Sequence, residues 1–477
     1  MFTAISNSLS MMVNRLAQSI TAFVLTAAIA KTLGVEALGQ YLLAYSFYYM
    51  FMGIASQGLK VLFTRELARE PEKTSVCLIS GSWLQLIFSF FSYGALVIVV
   101  FLLPYSSKTS TICYIMGFTI IPFALSNITE AIFQAQEKMH LIAIATVPVY
   151  IGRVIIMIWA MQLKYGIESV GAILFFSETL ILVIEWIFIT QSVKIQWQID
   201  RIFVWDTIKN VRTFVAIEAM AVVSSRMQIL ILSLLGNEFL VGLFGGIGQV
   251  LQPFLIIANS ISVGMFPTLS KAADKGQEKQ QQIAESFIEI ILTMGLPLFL
   301  GLLFFGKDLL VFIYTPSFAQ GSLALSITAV SLLFLPFIRT LCNLLIANHF
   351  EIVNLREVFI TTILASLVGV ALVPQYHLLG AAIMTLVMTV LGFSQYVYFT
   401  YTLLFPLNFW RIIRRPVIIG TLMLVIFLIL KNINLDFLLT LIIATSFYIL
   451  FVILMSIHVL GGIHIIWEKF VKKVKKG

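Results

Sequence analysis

Apolar runs long enough to cross a lipid bilayer follow one another along almost the entire chain. A membrane-spanning helix needs about 20 consecutive, mostly apolar residues. Fourteen such runs occur here, at approximately 11–33, 40–63, 77–103, 111–134, 142–163, 168–190, 213–235, 239–266, 284–305, 320–347, 353–373, 378–402, 415–431 and 436–459. Of the 477 residues, 60% are hydrophobic and 11% charged, whereas soluble domains have about 25% charged residues. We therefore predict an all-α membrane protein with 14 transmembrane helices.

The basic residues predict how these helices are oriented. With the N-terminus in the cytoplasm, twenty Lys and Arg residues fall in cytoplasmic segments and five on the opposite side. This asymmetry follows the positive-inside rule and predicts that both termini are cytoplasmic. The net charge of +8 is then explained by topology and anionic headgroups, so no nucleic-acid partner is predicted. The N-terminus lacks a basic region and a cleavage site, which favours a retained first helix over a signal peptide.

Short similarities relate the two halves of the chain. The matching pairs are LGVE at 33–36 with LGNE at 235–238, 121–137 with 335–351, and Gly171-Ala172 with Gly380-Ala381. Because each repeat holds six helices, both have the same orientation, as in transporters with parallel repeats. We predict an N-lobe at 1–210 (helices 1–6) and a C-lobe at 211–404 (helices 7–12). Helices 13 and 14 and a basic cytoplasmic tail follow at 405–477.

Arginines placed inside the spans are the strongest candidates for function. A charge at the bilayer centre costs between about 2.5 and more than ~10 kcal/mol, so such a residue must face water or a partner. Arg226 lies at the middle of helix 7, Arg153 near the middle of helix 5, and Arg339 three residues after Pro336. With Arg15 of helix 1, they form the predicted cationic, substrate-binding set of a polar cavity. The alternative is a buried ion pair that locks two helices together.

Acidic residues inside the spans are candidates for a coupling ion or a gate. Glu178 and Glu185 lie seven residues apart on one face of helix 6, and they either bind a proton or sodium ion or counter the arginines. Glu130 lies one turn from the cytoplasmic end of helix 4. Glu218 and Arg15 fall at nearly the same depth of helices 7 and 1, so they could form a latch. Alternatively, each is merely hydrated at the interface.

Several chemistries find no support in the sequence. A P-loop is absent, so the chain itself is not expected to hydrolyse ATP. Cys77, Cys113 and Cys342 are far apart and are predicted to be small core residues. The five histidines lack metal-ligand spacing, and the loops are too short for an enzyme site. We predict no catalytic residues, no metal, no cofactor and no enzymatic activity.

The chain as a whole resembles a known family of transporters. The features that carry the resemblance are helices arranged as six, six and two, LGVEALGQY after helix 1, GLKVLFTRELARE ending helix 2, FPTLSKA ending helix 8 and LLGAAI beginning helix 12. Together they resemble the Wzx-type polysaccharide flippases of the multidrug/oligosaccharidyl-lipid/polysaccharide exporter superfamily. The resemblance implies two MATE-like six-helix lobes around a central cavity that work by alternating access.

It further implies a substrate, an undecaprenyl-pyrophosphate-linked oligosaccharide moved from the cytoplasmic to the outer leaflet for surface polysaccharides such as the O-antigen of lipopolysaccharide. The implied location is the bacterial cytoplasmic (inner) membrane. The implied partners are membrane lipids and the polysaccharide polymerase machinery, with H+ or Na+ as coupling ion. Guanidinium groups suit the diphosphate because their donors match phosphate oxygens. Helices 13 and 14, absent from twelve-helix drug exporters, are expected to border a groove for the lipid tail.

Three alternatives remain open from the sequence. A cation-coupled drug exporter would favour a cavity dominated by carboxylates, whereas the deepest charges here are arginines. A lipid II flippase has the same expected topology. A membrane glycosyltransferase or polymerase would need a larger loop with acidic catalytic residues.

Overall fold

The computed structural model describes residues 2–193, 197–274, 276–433 and 437–459. This part of the chain is all-α, as predicted, and contains no β-strand. Its helices are α1 (Phe2–Thr32), α2 (Val35–Met52), α3 (Gly58–Arg69), α4 (Thr74–Val76), α5 (Ser82–Leu102), α6 (Ser107–Phe118), α7 (Ile120–Ala135), α8 (Met139–Gln162), α9 (Ile167–Ser192), α10 (Arg201–Leu235), α11 (Glu238–Ala273), α12 (Gln277–Ile313), α13 (Ser322–Ala329), α14 (Ser331–Ala347), α15 (Glu351–Tyr376), α16 (Leu378–Leu403), α17 (Phe409–Asn432) and α18 (Phe437–Val459).

Length and hydropathy identify the protein as a multi-pass membrane protein. Within the described ranges, eleven helical segments are long and apolar enough to cross a membrane, and shorter apolar helices cover Ala219–Leu235 and Phe437–Phe451. Large apolar side chains such as Phe101, Trp159 and Leu367 are more than half exposed, as expected where lipid is the solvent. The exact count of fourteen crossings stays a prediction.

Several helices begin earlier than the apolar runs indicate, α10 and α12 among them. Helix α10 starts at Arg201 rather than at 213, because the Asp200 carboxylate caps it by accepting hydrogen bonds from the backbone N–H groups of Ile202 and Phe203 (2.8 and 3.1 Å). Helix α12 starts at Gln277 rather than at 284. Charged and polar residues interrupt both extensions, so hydropathy does not report them. The cap at Asp200 marks the start of α10, whereas α12 follows Gly276 without a side-chain cap.

Helix endings of the same type follow α7 and α14. Glu137 after α7 and His349 after α14 both have positive φ, of 56° and 64°. In each turn the residue that follows donates its backbone N–H to a carbonyl five residues earlier: Lys138 to Phe133 at 2.8 Å, and Phe350 to Leu345 at 2.9 Å. This is the Schellman type of helix ending. The aligned segments 121–137 and 335–351 therefore contain the same type of helix ending, although Glu137 and His349 are 212 residues apart and the alignment offset is 214.

Two short π-helical segments, which the sequence did not predict, interrupt the apolar helices at Gly53–Gln57 and Cys77–Gly81. Side chains of α5 satisfy backbone carbonyls near the first one. The Gln85 amide donates to the Ala55 carbonyl at 2.8 Å, and the Ser92 hydroxyl donates to the Phe51 carbonyl at 2.6 Å. A π-segment inside a membrane helix persists because neighbouring helices pair the displaced backbone groups.

The chain divides into two compact units. Unit 1 comprises Met1–Gly246 and Val373–His377, and unit 2 comprises Ile247–Leu372 and Leu378–Gly477. A buried cluster that includes Phe63, Ile132 and Ile189 lies in unit 1. Unit 2 contains one buried cluster around Leu341 and Ile288 and another in which α17 and α18 pack on α12. The lobe boundaries at 210 and 404 stay predictions.

Candidate functional site

The guanidinium of Arg226 lies over two aromatic rings of α2. Its Cζ is 4.6 Å from the centroid of the Tyr49 ring and 5.7 Å from that of Tyr45. Each such cation–π contact contributes about 0.5–2 kcal/mol, the larger value where water is excluded. Among the described side chains, no carboxylate lies within ion-pair distance of Arg226, and its buried Nε has no hydrogen-bond partner. The arginine is therefore held in position by rings that leave its charge unneutralised.

Helical spacing explains the aromatic surface under Arg226. Tyr41, Tyr45 and Tyr49 follow at intervals of four residues and hence share one face of α2. The centroids of the first two rings are 6.1 Å apart, and those of the second pair 6.2 Å apart. Because stacked rings restrict one another, this face presents a preformed platform to α10.

Arg153, unlike Arg226, has a carboxylate partner. Its Nη1 donates to Glu178 Oε1 at 2.7 Å, and the two side chains are only 12% and 7% exposed. Its Cζ also lies 4.9 Å from the centroid of the Tyr150 ring. Of the two interpretations left open by the sequence, this geometry matches the buried ion pair, here joining α8 to α9.

The other acidic candidates of unit 1 lie between α7, α9 and α3. Glu185 is fully buried, and its Oε2 accepts hydrogen bonds from the hydroxyls of Ser126 and, at 2.5 Å, Thr129. Its Oε1 has no partner among the described side chains. Glu130 forms an ion pair with Lys60 of α3.

The remaining predicted arginines have exposed side chains. Arg15 of α1 and Arg339 of α14 are exposed, and the Arg339 carbonyl accepts from the Ser262 hydroxyl at 3.5 Å. The side chain of Glu218 lies outside the described residues. The roles of all eight candidate side chains, and the latch between Arg15 and Glu218, stay predictions.

Unit 2 contains buried acids that sequence reasoning missed. Arg415 of α17 lies 3.1 Å from Glu289 of α12, and Arg411 lies 3.6 Å from Glu285. Both glutamates are almost fully buried. Their spacing of four residues, matched by that of the two arginines, was the available signal. These pairs attach α17 to α12.

An apolar groove runs between α12, α17 and α18, where the lipid-tail groove was predicted. It has a volume of about 120 Å³ and is lined by residues that include Gly301, Phe305, Phe427 and Tyr448. Its assignment to a lipid tail stays a prediction. Within the described ranges, no three His, Cys, Asp or Glu side chains are grouped to hold a metal ion.

A comparison with protein families decides the identity of the chain at family level. The family model described as "Polysaccharide biosynthesis protein" matches residues 4–250, which is more than half of the sequence. The chain belongs to this family. Similarity to the capsular polysaccharide biosynthesis protein CapF of Staphylococcus aureus extends over 171 residues at 26% identity, covering 36% of this chain and 43% of that protein.

Two solved structures share the fold of this family member. The lipid II flippase MurJ, in an inward closed conformation, matches with a TM-score of 0.74 and 16% identity over 94% of this chain and 98% of that chain. A multidrug resistance MATE family transporter of the MOP superfamily, in an inward-facing conformation, matches with a TM-score of 0.63 and 14% identity over 81% and 95%. The MATE-like fold and the resemblance predicted from the sequence are confirmed. Both of these structures bear the names of transporters rather than of enzymes.

Proposed function

We propose that this protein is a flippase that moves undecaprenyl-pyrophosphate-linked oligosaccharide repeat units from the cytoplasmic to the outer leaflet of the bacterial inner membrane. The observation that carries the proposal is Arg226, whose charge is positioned by Tyr45 and Tyr49 but is not neutralised by any described carboxylate. A guanidinium with free donors is suited to a diphosphate. Membership of a polysaccharide biosynthesis family supports a sugar-bearing substrate.

The proposed transport cycle is alternating access of two six-helix lobes. Both termini lie in the cytoplasm, and the polymerase machinery receives the translocated repeat unit. The drug-exporter alternative needs free carboxylates for a cationic substrate. In unit 1, Glu178 and Glu130 are instead paired with Arg153 and Lys60, while Glu185, which lacks a described cationic partner, is fully buried. A lipid II flippase would also bind a diphosphate, so only the sugars distinguish its substrate from the proposed one.

Loss of this protein in its host is expected to cause lipid-linked repeat units to accumulate, because their synthesis continues while their translocation stops. Mass spectrometry of extracted lipids measures this and identifies the sugars. Binding of labelled repeat-unit lipid to the purified protein, compared with lipid II and a cationic drug, is the second measurement. Accumulation of lipid II, or saturable binding of the drug alone, would contradict the assignment.

Glu185 is the proposed binding residue for the coupling proton or sodium ion. It is buried, and its Oε1 lacks a described partner while two hydroxyls hold the other oxygen. Buried carboxylates in membrane spans commonly serve ion coupling. In proteoliposomes, Glu185→Gln is expected to make flipping independent of an imposed proton or sodium gradient, whereas Glu70→Gln, at an exposed position, keeps the wild-type dependence. A variant that retains the full gradient response would remove Glu185 from this role.

A further inference from the structure

One turn of α7 joins the buried carboxylate of Glu185 to the π-segment Gly53–Gln57. The two hydroxyl-bearing residues that hold Glu185 belong to this turn. Asn127, in the same turn, donates its amide N–H to the Ser56 hydroxyl at 2.8 Å. The Ser56 hydroxyl in turn donates to the Met52 carbonyl at 3.0 Å. Asn127 and Ser56 are 2% and 1% exposed, so water does not compete for these bonds.

The π-segment also contacts the elements that position Arg226. Tyr49, whose ring lies under the guanidinium, is one helical turn before Gly53, and Val222 is one turn before Arg226. Gly53 and Val222 pack closely, since a Cβ added to Gly53 would lie 2.8 Å from Val222 Cγ2. A change in the backbone of the π-segment therefore acts directly on the ring and on the helix that hold the guanidinium.

A π-segment holds one residue more than the same length of α-helix, so it can shift along the helix that contains it. Each residue that it passes rotates by about 100° around the helix axis, because an α-helix has 3.6 residues per turn. A shift by one turn toward the start of α2 would rotate Tyr49 away from Arg226. The present position is incompletely bonded: the Gln85 amide donates to the Ala55 carbonyl, but its buried Oε1 has no partner in the described part of the chain.

We propose that the π-segment is the switch through which an ion bound at Glu185 controls Arg226, with Asn127 as the positioning residue between them. The inference rests on the proposed function, because it takes Glu185 as the ion site and the diphosphate as the ligand of Arg226. A bound proton or sodium ion neutralises the carboxylate, and the two hydroxyls of α7 lose their charged acceptor. The turn that carries Asn127 is then released, and its bond to Ser56 no longer fixes the π-segment.

The other ionisable groups around Glu185 set the direction of the shift. They are Glu130 of α7, Lys60 of α3 and Tyr150 of α8. Because Glu130 and Lys60 form an ion pair, the charge that changes on ion binding is that of Glu185. Lys60 lies one turn beyond Ser56, so this ion pair keeps α3 attached to α7. The π-segment is therefore free to shift only toward α2, which carries the tyrosines under Arg226.

Binding of polyprenyl diphosphate to the full chain in lipid nanodiscs tests the switch. Its dissociation constant is measured at neutral and acidic pH, and with and without sodium. Glu185→Gln, which cannot bind the ion, gives the background due to ionisation of the lipid itself. Beyond this background, the wild type is expected to bind about tenfold more weakly when the ion is bound, within the usual range for two coupled sites. Asn127→Leu is expected to show the background alone.

Asn343→Leu is the matched control in unit 2. The Asn343 amide donates to the Ser262 hydroxyl at 2.8 Å, so the substitution removes the same kind of hydrogen bond between two helices. The helix that carries Ser262, α11, is α-helical throughout Glu238–Ala273. Asn343→Leu is therefore expected to keep the tenfold dependence on the ion.

Deletion of Ile54 gives a second measurement that does not depend on the folding of Asn127→Leu. Removing one residue converts the π-segment into continuous α-helix, and the variant should bind the lipid without dependence on the ion. Retained dependence in Asn127→Leu or in the deletion variant, its loss in Asn343→Leu, or a wild type no more sensitive than Glu185→Gln would overturn the switch and leave the flippase proposal standing. A wild type that does not bind the lipid would contradict the proposed function itself.

Discussion

Replacing Glu178 by glutamine is expected to destabilise the folded protein by about 3–5 kcal/mol, because the change leaves Arg153 buried without its counter-charge. The pair is close, at 2.7 Å, and both side chains are more than four-fifths buried. Ser177 offers only a hydroxyl at 3.5 Å, which cannot replace a carboxylate. The free energy of unfolding in detergent measures the loss, with tryptophan fluorescence reporting the transition.

Two comparisons make this prediction specific to burial. Glu70 and Lys73 form an ion pair at 51% and 53% exposure, and Glu70→Gln is expected to cost less than about 1 kcal/mol. The double variant Arg153→Met with Glu178→Leu should recover most of the stability, since it removes both charges and keeps the volume. If Glu178→Gln and Glu70→Gln lower stability equally, the pair does not lock α8 to α9.

Much of the fold was predictable because the features that determine it are local in the sequence. Apolar runs predict the membrane helices, and the match between 121–137 and 335–351 predicts a repeat, in which Glu137 and His349 adopt the same turn conformation two residues out of the aligned register. The start of α10 at Arg201 and the π-segment at Gly53–Gln57 were not predicted. The first depends on a polar cap outside the apolar run, and the second on side chains of α5, which lie about thirty residues further along the chain.

For the site, the sequence predicted only a set of charged residues, and it left alternative roles open for them. The sequence shows that Arg153 and Arg226 both lie deep in spans, but which carboxylate each meets depends on how neighbouring helices are rotated. Sequence spacing could have identified Tyr45 and Tyr49 as one face of α2, yet nothing local assigns Arg226 to that face. The ion pair between Lys60 and Glu130 likewise could not be predicted from local sequence, because it forms where α3 packs on α7.

The two deep arginines of unit 1 therefore differ in what their charges do. Arg153 has its compensating carboxylate inside the protein, and removing either partner exposes the other to a low-dielectric environment. Arg226 has aromatic faces but no described counter-ion. The folded protein therefore contains a positive charge that no described negative charge compensates. Residues that function needs are commonly less than optimal for stability, which makes Arg226 the better candidate to meet an external anion.

Arg226→Gln is accordingly expected to weaken binding of polyprenyl diphosphate-linked sugar by about 2–4 kcal/mol, or roughly 30- to 700-fold. Arg226→Lys should lose less, about tenfold, because the charge remains while the forked donors and the stacking on Tyr49 are lost. Neither change should lower the free energy of unfolding as Glu178→Gln does, since no described carboxylate is left unpaired. Binding is measured in nanodiscs with purified lipid, alongside unfolding of the same samples.

Arg414→Gln provides the matched control, because Arg414 is an exposed arginine of α17 and its loss should leave affinity within about twofold, as expected for surface charges. Binding by Arg226→Gln as tight as by this control would exclude Arg226 from contact with the diphosphate. A loss of stability comparable to that of Glu178→Gln would instead assign Arg226 a structural role. Reduced affinity with unchanged stability is the combination expected of an arginine that contacts the substrate.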